Sequence, residues 1–462
     1  MSATQKIETF FRRFLPSPFT IAWALTALAI LLAYVFGEFK PESSRFLFIL
    51  EQWEIGLWKV PLMNFLVQMM LMLVLGHVLA LSPLIEKLLN RSLSIIHNGA
   101  QAAGLVTLVA VSVSLFNWGL GLIVGAVLAR KIGEYAQEKK IPINYPLIAA
   151  GAYSGLMVWH GGISGSAPVK VAENGHLKEM MQGIFTEEKL ASLPESMDYS
   201  HTIFSSMNLT VSLIVIITLP LLMYFISKKT KLTIPNLLTE PPNEDINQDP
   251  VQFPAEKLDH SAIFIKTLGV GVLFFWIYKS FWLSPSFVKS INPNTINLFL
   301  LGSSLLLHKN IITYLKALNT AISGASGILI QFPLYFGIMG IMNGCGLVEL
   351  ISEGFVSISN NFSFPLFTFI SAGLVNIFVP SGGGQWAVQG PIIVQAIEQL
   401  QGDLSKAIMA LAYGDQLTNM LQPFWALPLL GITKLKANQI LPYTLLLFLA
   451  GCIIYGTALI IF

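Results

Sequence analysis

The run from Phe362 to Ile397 is apolar enough to lie in a bilayer, yet Pro380-Ser381-Gly382-Gly383-Gly384-Gln385-Trp386 interrupts it. At membrane depth, irregular backbone persists only where protein or a water-filled cavity satisfies its N–H and C=O groups. Each of three successive glycines costs roughly 1 kcal/mol relative to alanine in a helix interior, so the stretch reads as a break in the helix. The same glycines let backbone N–H groups converge on an anion. A plain turn between two helices is the blander reading. Against it stands a second, related break, Phe116-Asn117-Trp118-Gly119-Leu120-Gly121, which splits another apolar run with glycines and one small polar side chain.

Hydrophobic residues make up 54% of the 462-residue chain and charged ones 11%. Mean hydropathy is +0.67. A soluble domain carries about 25% charged residues, so the chain reads as an all-α polytopic membrane protein. It has room for about nine or ten spans. A formal net charge of +2 gives no sign of a nucleic-acid partner. Cys345 and Cys452 are far apart in apolar settings and indicate neither a disulfide framework nor a metal site. Lys6, Arg12 and Arg13 resemble the charged start of a signal peptide, but Phe19 to Gly37 is too long for one and reads as the first span.

In chain order, spans are expected at 19–37 and 62–81, with an amphipathic interfacial segment at 42–60 between them. A hairpin follows around 116–121, with arms of roughly a dozen residues, too short to cross and therefore re-entrant. The span at 145–168 is broken at Gly161-Gly162-Ile163-Ser164-Gly165-Ser166, and a polar loop leads to a span at 205–227. Residues 228–260 read as a cytoplasmic linker between halves. Then come spans at 261–283, 294–308 and 321–343, a second hairpin with its tip near 379–385, a span at 404–430 interrupted near Asn419 to Pro423, and a last span at 440–462. With the N-terminus inside, about 18 Lys and Arg residues fall on the cytoplasmic side and about 9 outside. That map puts the first hairpin on the cytoplasmic side and the second on the outer side.

The two halves repeat. Gln68 and Glu86 match Gln331 and Glu349 at a separation of 263, Phe116 matches Phe378 at 262, and Ala152-Tyr153 and Pro168 match Ala412-Tyr413 and Pro428 at 260. Residues 1–227 form the first copy. The extra span 261–283 turns the second copy, which ends at 462, upside down. An inverted repeat with paired hairpins and paired broken helices is secondary-transporter architecture.

The breaks carry the candidate chemistry. Several half-helix N-termini near the midplane would each present about half a positive charge. Asn117, Ser164, Ser166, Ser381 and Thr418 add hydrogen-bonding groups, enough to hold one carboxylate without an arginine. The candidate substrate-binding residues are Asn117, Trp118, Gly119 and Gly121 in the first tip, His160, Gly161, Gly162, Ser164 and Ser166 in the first broken helix, and Ser381, Gly382, Gly383, Gly384 and Gln385 in the second tip. No Lys or Arg sits in the middle of an expected span, which favours a monocarboxylate over a dicarboxylate. Trp118, Trp159, Phe378, Trp386, Phe424 and Trp425 flank the breaks and either wall a short alkyl tail or pack against helices and lipid. Asp415, with Thr418 and Asn419, is the candidate cation-coupling group. A mid-membrane aspartate costs about 2.5–3.5 kcal/mol on insertion scales, so it binds Na⁺, carries a proton, or caps a broken helix. His160 either donates to a carboxylate, titrates, or is a satisfied structural histidine. His77 reads as packing. The GxxxG pairs Gly121–Gly125, Gly151–Gly155 and Gly340–Gly344 read as close helix contacts.

Two other classes fit less well. Gly162-Ile163-Ser164-Gly165 has the G-x-S-G form of an intramembrane serine protease, but no later span holds a central histidine: His308 ends a span, and His201 and His260 lie in or beside loops. Gly-rich hairpin tips also build channel filters.

The runs Trp159 to Pro168, Phe378 to Trp386 and Tyr413 to Asn419 resemble the bacterial short-chain fatty acid transporter family, part of the large ion transporter superfamily. The resemblance covers nearly the whole chain. It implies uptake of substrates such as acetoacetate and butyrate, and a homodimer in the bacterial inner membrane. It also implies an elevator movement of a transport domain against a scaffold, with H⁺ or Na⁺ as the coupling ion and no further cofactor. Dicarboxylate members of the superfamily carry Ser-Asn-Thr at both tips, whereas here the tips read Phe-Asn-Trp-Gly and Pro-Ser-Gly-Gly-Gly, so their ion sites do not carry over.

Overall fold

Small polar caps start most of the long helices. Ser17 accepts from Thr20 N ahead of Pro18–Phe36, Asn98 from Gln101 N ahead of Gly99–Phe116, and Ser205 from Asn208 N ahead of Ser206–Lys229. Each cap satisfies an N–H group that has no partner within its own helix. The structure, a computed structural model, describes residues 16–39, 44–85, 87, 93, 96–182, 184–237, 256–283, 290, 292–322 and 325–462. Glu86, Lys6, Arg12, Arg13 and the linker segment 238–255 lie outside them.

Among the described residues, 7 helices are long and apolar enough to span a membrane: Pro18–Phe36, Val60–Ala80, Gly99–Phe116, Ser206–Lys229, Ala262–Trp282, Ser326–Gly344 and Ala437–Ile461. This is a multi-pass membrane protein. Only 11% of the Ala262–Trp282 window is buried, with Ile263, Phe274 and Trp282 exposed, as a lipid-facing helix requires. The segment at 42–60 contains a helix, Arg45–Leu57, that turns Ile49 and Gly56 inward and packs along Ser326–Gly344. Its close fit depends on glycine. A Cβ at Gly340 would meet Gln52 O at 2.2 Å, and one at Gly344 would meet the Gln52 side chain at 2.1 Å.

The first hairpin differs from its expected dimensions. Its arms are Gly99–Phe116, of 18 residues, and Trp118–Glu138, of 21, joined through Asn117 alone. At 1.5 Å per residue they are about 27 and 31 Å long, so shortness does not make them re-entrant. Arg130 and Lys131 in the sequence look like the end of an apolar arm. Both are instead 8% exposed within it and paired with Glu134 one helical turn on. The expectation that helices hold no central basic residue is corrected accordingly, although Arg130 is roughly 18 Å along the arm from the tip.

The second hairpin joins Phe364–Phe378 to Gly382–Leu400 through Val379-Pro380-Ser381. Here too there is a correction, because the three glycines are helical. They form the first turn of the second arm, capped by Ser381 Oγ accepting from Gly384 N at 3.2 Å. A penalty for glycine in a helix interior does not apply at a capped first turn, where the leading N–H groups have no intrahelical partner.

The broken helices form the buried centre. The first runs through Tyr145–Tyr153 and then tightens into 3₁₀ turns at Ser154–Met157 and Trp159–Gly161, so the α-helix ends before the Gly-rich stretch. The second consists of Leu404–Thr418, a 3₁₀ turn Asn419–Leu421 and Leu427–Thr433. Every residue from Ala407 to Met420 is buried. The two breaks bind each other. Tyr153 Oη donates to Asn419 O at 2.9 Å and Gln422 O at 3.2 Å, and Asn419 Nδ2 donates to Leu156 O at 3.1 Å.

A polar segment between Gly162 and Ser205 folds as a strap of short helices, Ala167–Lys170, His176–Met181 and Glu187–Ser192, against the second hairpin. Val171, Leu177, Met181 and Met197 share a small core with Phe364, Trp386, Ile393 and Ile397.

Candidate functional site

Gln416 holds the two breaks in register. Its Oε1 accepts from His160 N at 2.9 Å and Gly161 N at 3.2 Å. Asn208 supports the same turn from Ser206–Lys229, donating to Gly161 O at 2.8 Å and accepting from Tyr413 Oη at 3.0 Å. Held in this way, His160 and Asp415 face each other with Nδ1 and Oδ2 2.8 Å apart. Both side chains are essentially inaccessible, at 0% and 1% exposure. The approach is close but bent away from hydrogen-bond alignment, and each atom retains unfilled capacity. The other ring nitrogen is engaged, since His160 Nε2 accepts from Ala167 N at 3.0 Å.

The second tip closes on this pair. A Cβ at Gly382 would meet Asp415 Oδ2, His160 Cε1 and the Trp159 ring, all at 2.9 Å. Only a glycine lets the helix start approach so near. Gly383 is exposed and a Cβ there would meet nothing, so the next N–H is open to approach. Trp159 Nε1 is buried without an acceptor and stands as an unused donor beside the pair. No Lys or Arg occurs at 116–121, 154–166, 379–385 or 415–425.

Other expected site residues are spent on structure. Asn117 Oδ1 caps Leu120 N at 2.9 Å, and Ser164 Oγ accepts from Trp118 N at 3.0 Å, so both close the first tip. Gly119 and Gly121 admit Met72 and Ser114, while Gly161 and Gly162 admit Asn208 and the carbonyl of Leu115. Gln385 donates to Ala372 O at 2.9 Å and to Gln389 Oε1 at 2.7 Å inside the second hairpin. Ser166 precedes a helix of 4 residues and its side chain caps nothing. The Gly384 N–H is taken by Ser381.

Thr418 and Asn419 meet at an amide that the sequence reading passed over. Asn376 Nδ2 lies 2.7 Å from Asp415 O, 3.0 Å from Thr418 Oγ1 and 3.0 Å from Asn419 Oδ1. Asn376, Asn208 and Gln416 share one legible signal, an uncharged amide inside an apolar run.

Four of the six flanking aromatics pack on one another. Trp118 lies 6.0 Å from Trp159 and 5.2 Å from Trp425, Phe424 lies 4.9 Å from Trp425, and Trp159 stacks on His160 at 4.5 Å. Trp386 belongs elsewhere. Its Nε1 donates to His176 Nε2 of the strap at 2.9 Å.

The family model described as short chain fatty acid transporter matches residues 1–462. The chain belongs to that family. Two relatives, from Escherichia coli (strain K12) and Haemophilus influenzae (strain ATCC 51907 / DSM 11121 / KW20 / Rd), are each named "Putative short-chain fatty acid transporter". Each is 35% identical over 458 residues, covering 98% of this chain and of the first relative and 97% of this chain and of the second. Among solved structures, the Alcanivorax borkumensis YdaH transporter aligns with 96% of this chain and 98% of its own, at 14% identity and a TM-score of 0.43. Members of the short-chain fatty acid transporter family are transporters and not enzymes, and Ser164, the G-x-S-G serine, here closes a hairpin tip.

Proposed function

We propose that this protein is a secondary active symporter of short-chain monocarboxylates such as butyrate and acetoacetate. The carrying observation is the approach of the Gly382 helix start to His160 and Asp415. The substrate carboxylate binds at the second tip, where the helix start is worth up to about 2 kcal/mol to a partly buried anion. Its alkyl tail lies against Trp118, Trp159 and Trp425. A cation at Asp415 offsets the buried charge.

The absence of Lys and Arg from the tips and breaks disfavours a second substrate carboxylate. Burying about three carbons adds only about 0.8 kcal/mol each, so affinity is modest, in the micromolar to millimolar range. The matched hairpins and broken helices support an inverted repeat, with the hairpins carried by a transport domain that moves as an elevator. The map of positive charge supports a cytoplasmic N-terminus, while the inner membrane and a homodimer follow only from the family resemblance. Counterflow of labelled butyrate, acetoacetate and succinate in proteoliposomes tests the reading. Exchange accelerated by trans butyrate is expected. Its absence would favour a channel, and preference for succinate would overturn the substrate class.

A further inference from the structure

We infer that the coupling ion is a proton, that Asp415 binds and releases it once per substrate anion, and that His160 is a neutral positioning residue that does not titrate during the cycle. This rests on the transport reading above.

The argument begins at the far side of the imidazole. His160 Nε2 accepts the backbone N–H of Ala167 at 3.0 Å. An imidazolium carries hydrogen on both ring nitrogens, so protonating this ring would set two N–H groups against each other. Ala167 is the first residue of a short helix and is fully buried, so that backbone donor is fixed in place. The ring therefore holds its single hydrogen on Nδ1, an assignment that follows from the partners. Nδ1 in turn lies 2.8 Å from Asp415 Oδ2. Of the two side chains, only the carboxylate has room for another proton.

The groups around Asp415 leave it without a fixed countercharge. His160 is the one titratable side chain in the 3₁₀ turns packed on Leu404–Thr418, and Phe364–Phe378 contributes none. The second hairpin arm offers Glu398 near its far end, paired with Lys189 at 2.8 Å. The short helix at Ala167 offers Lys170, paired with Glu173 at 2.9 Å. Ala437–Ile461 carries Tyr443, Cys452 and Tyr455, and Leu404–Thr418 itself carries Lys406 in its first turn and Tyr413. The phenols of Tyr413 and Tyr455 donate to Asn208 Oδ1 and Met157 O, so both hold their protons.

With Asp415 ionised, a buried negative charge stands beside Gly382 and opposes the arriving carboxylate. When a proton from water on one side forms an O–H bond on Asp415, the pair becomes neutral and the anion is admitted. On the other side that O–H bond breaks and the proton returns to water, and no other bond changes. The cycle is electroneutral, one H⁺ with one monocarboxylate.

Labelled acetoacetate uptake into proteoliposomes, with trapped pyranine reporting proton movement, tests this in Na⁺-free buffer. Protein-free vesicles correct for passive permeation of the undissociated acid. A one-unit pH gradient should support about tenfold accumulation, since one unit is a factor of ten for a single coupled proton. One proton should enter per acetoacetate, and a valinomycin-set potential should add nothing. Asp415→Asn should lose the gradient-driven component and show counterflow independent of pH. His160→Gln should keep the gradient drive with a displaced pH profile. Accumulation that appears only once Na⁺ is supplied, or gradient drive lost in His160→Gln but kept in Asp415→Asn, would overturn the inference. Wild-type protein with no counterflow at all would instead refute the transport reading beneath it.

Discussion

Gly155 faces Ser114 so closely that a Cβ on the glycine would fall 2.1 Å from the serine hydroxyl oxygen. At the offsets of 260 and 262 expected from the sequence, these positions correspond to Asp415 and Asn376. There the same helix–hairpin junction is polar, with Asn376 Nδ2 donating to Asp415 O at 2.7 Å. The two junctions differ in what fills them. In the first the junction is sealed by contact. In the second it holds a carboxylate.

The sealed junction should resist substitution. Gly155→Ala puts a methyl against Ser114 and 2.7 Å from the Ala110 carbonyl, which is backbone and cannot step aside. Overpacking of this kind costs typically 1–3 kcal/mol, so the detergent-solubilised variant should unfold several degrees lower in a thermal scan. Ser114→Ala should behave oppositely. Its hydroxyl is buried with no partner, and losing an unpaired polar atom should be neutral or mildly stabilising. A destabilised Ser114→Ala would mean that the hydroxyl bonds to something at the junction.

Gly383 separates folding from function. Because it is helical and its Cβ position is open, Gly383→Leu should insert and unfold like the parent protein, with no backbone strain. A bulky side chain there still covers the exposed face of the helix start, so butyrate counterflow should fall at least tenfold while Gly383→Ala keeps most of it. Full transport by Gly383→Leu would show that substrate does not approach this N–H.

Most of the long apolar helices were legible because long apolar runs have few alternatives in a bilayer. Arm length in the first hairpin was not, because Arg130 and Lys131 look like a terminus until both are seen to pair with Glu134 one turn away. The glycines at 382–384 were misread for a related reason, as propensity judges a helix interior and these open a capped helix. His160 and Asp415 each stood out as ionisable groups near a break. Their pairing was invisible, since it depends on Gln416 and Asn208 joining elements far apart in sequence. The strap was legible only as a polar loop.

Tyr153 ties the two breaks together. Tyr153→Phe keeps the buried ring but removes the hydroxyl donor; Asn419 O retains the Gln422 N–H at 3.1 Å, so the acceptor left wanting is Gln422 O. Stranding buried acceptors costs about 1–3 kcal/mol, visible as a lower unfolding temperature. Because the second break also positions Asp415, accumulation should suffer more than exchange. An unchanged unfolding temperature would show that the Tyr153 hydroxyl is dispensable to the junction.

The strap should loosen in acid. His176 Nε2 accepts the Trp386 indole N–H, a bond that exists only while that nitrogen is unprotonated. Burial, and then Lys170, lower the His176 pKa from its ordinary value of 6.5, against smaller opposing effects of Glu173 and Glu179. With the folded value below the open one, the open strap binds more protons as the pH falls below about 6.5. The contact's contribution is therefore complete above that point and is lost as pH falls through the lowered value. For one proton the opening equilibrium changes by no more than about tenfold per pH unit. Hydrogen exchange of residues 167–201, corrected for intrinsic rates, should show protection declining between pH 7.5 and 5. Protection in His176→Phe should not depend on pH over the same range. Constant protection in the wild type, or an undiminished decline in His176→Phe, would show that another group governs how the strap sits on the second hairpin.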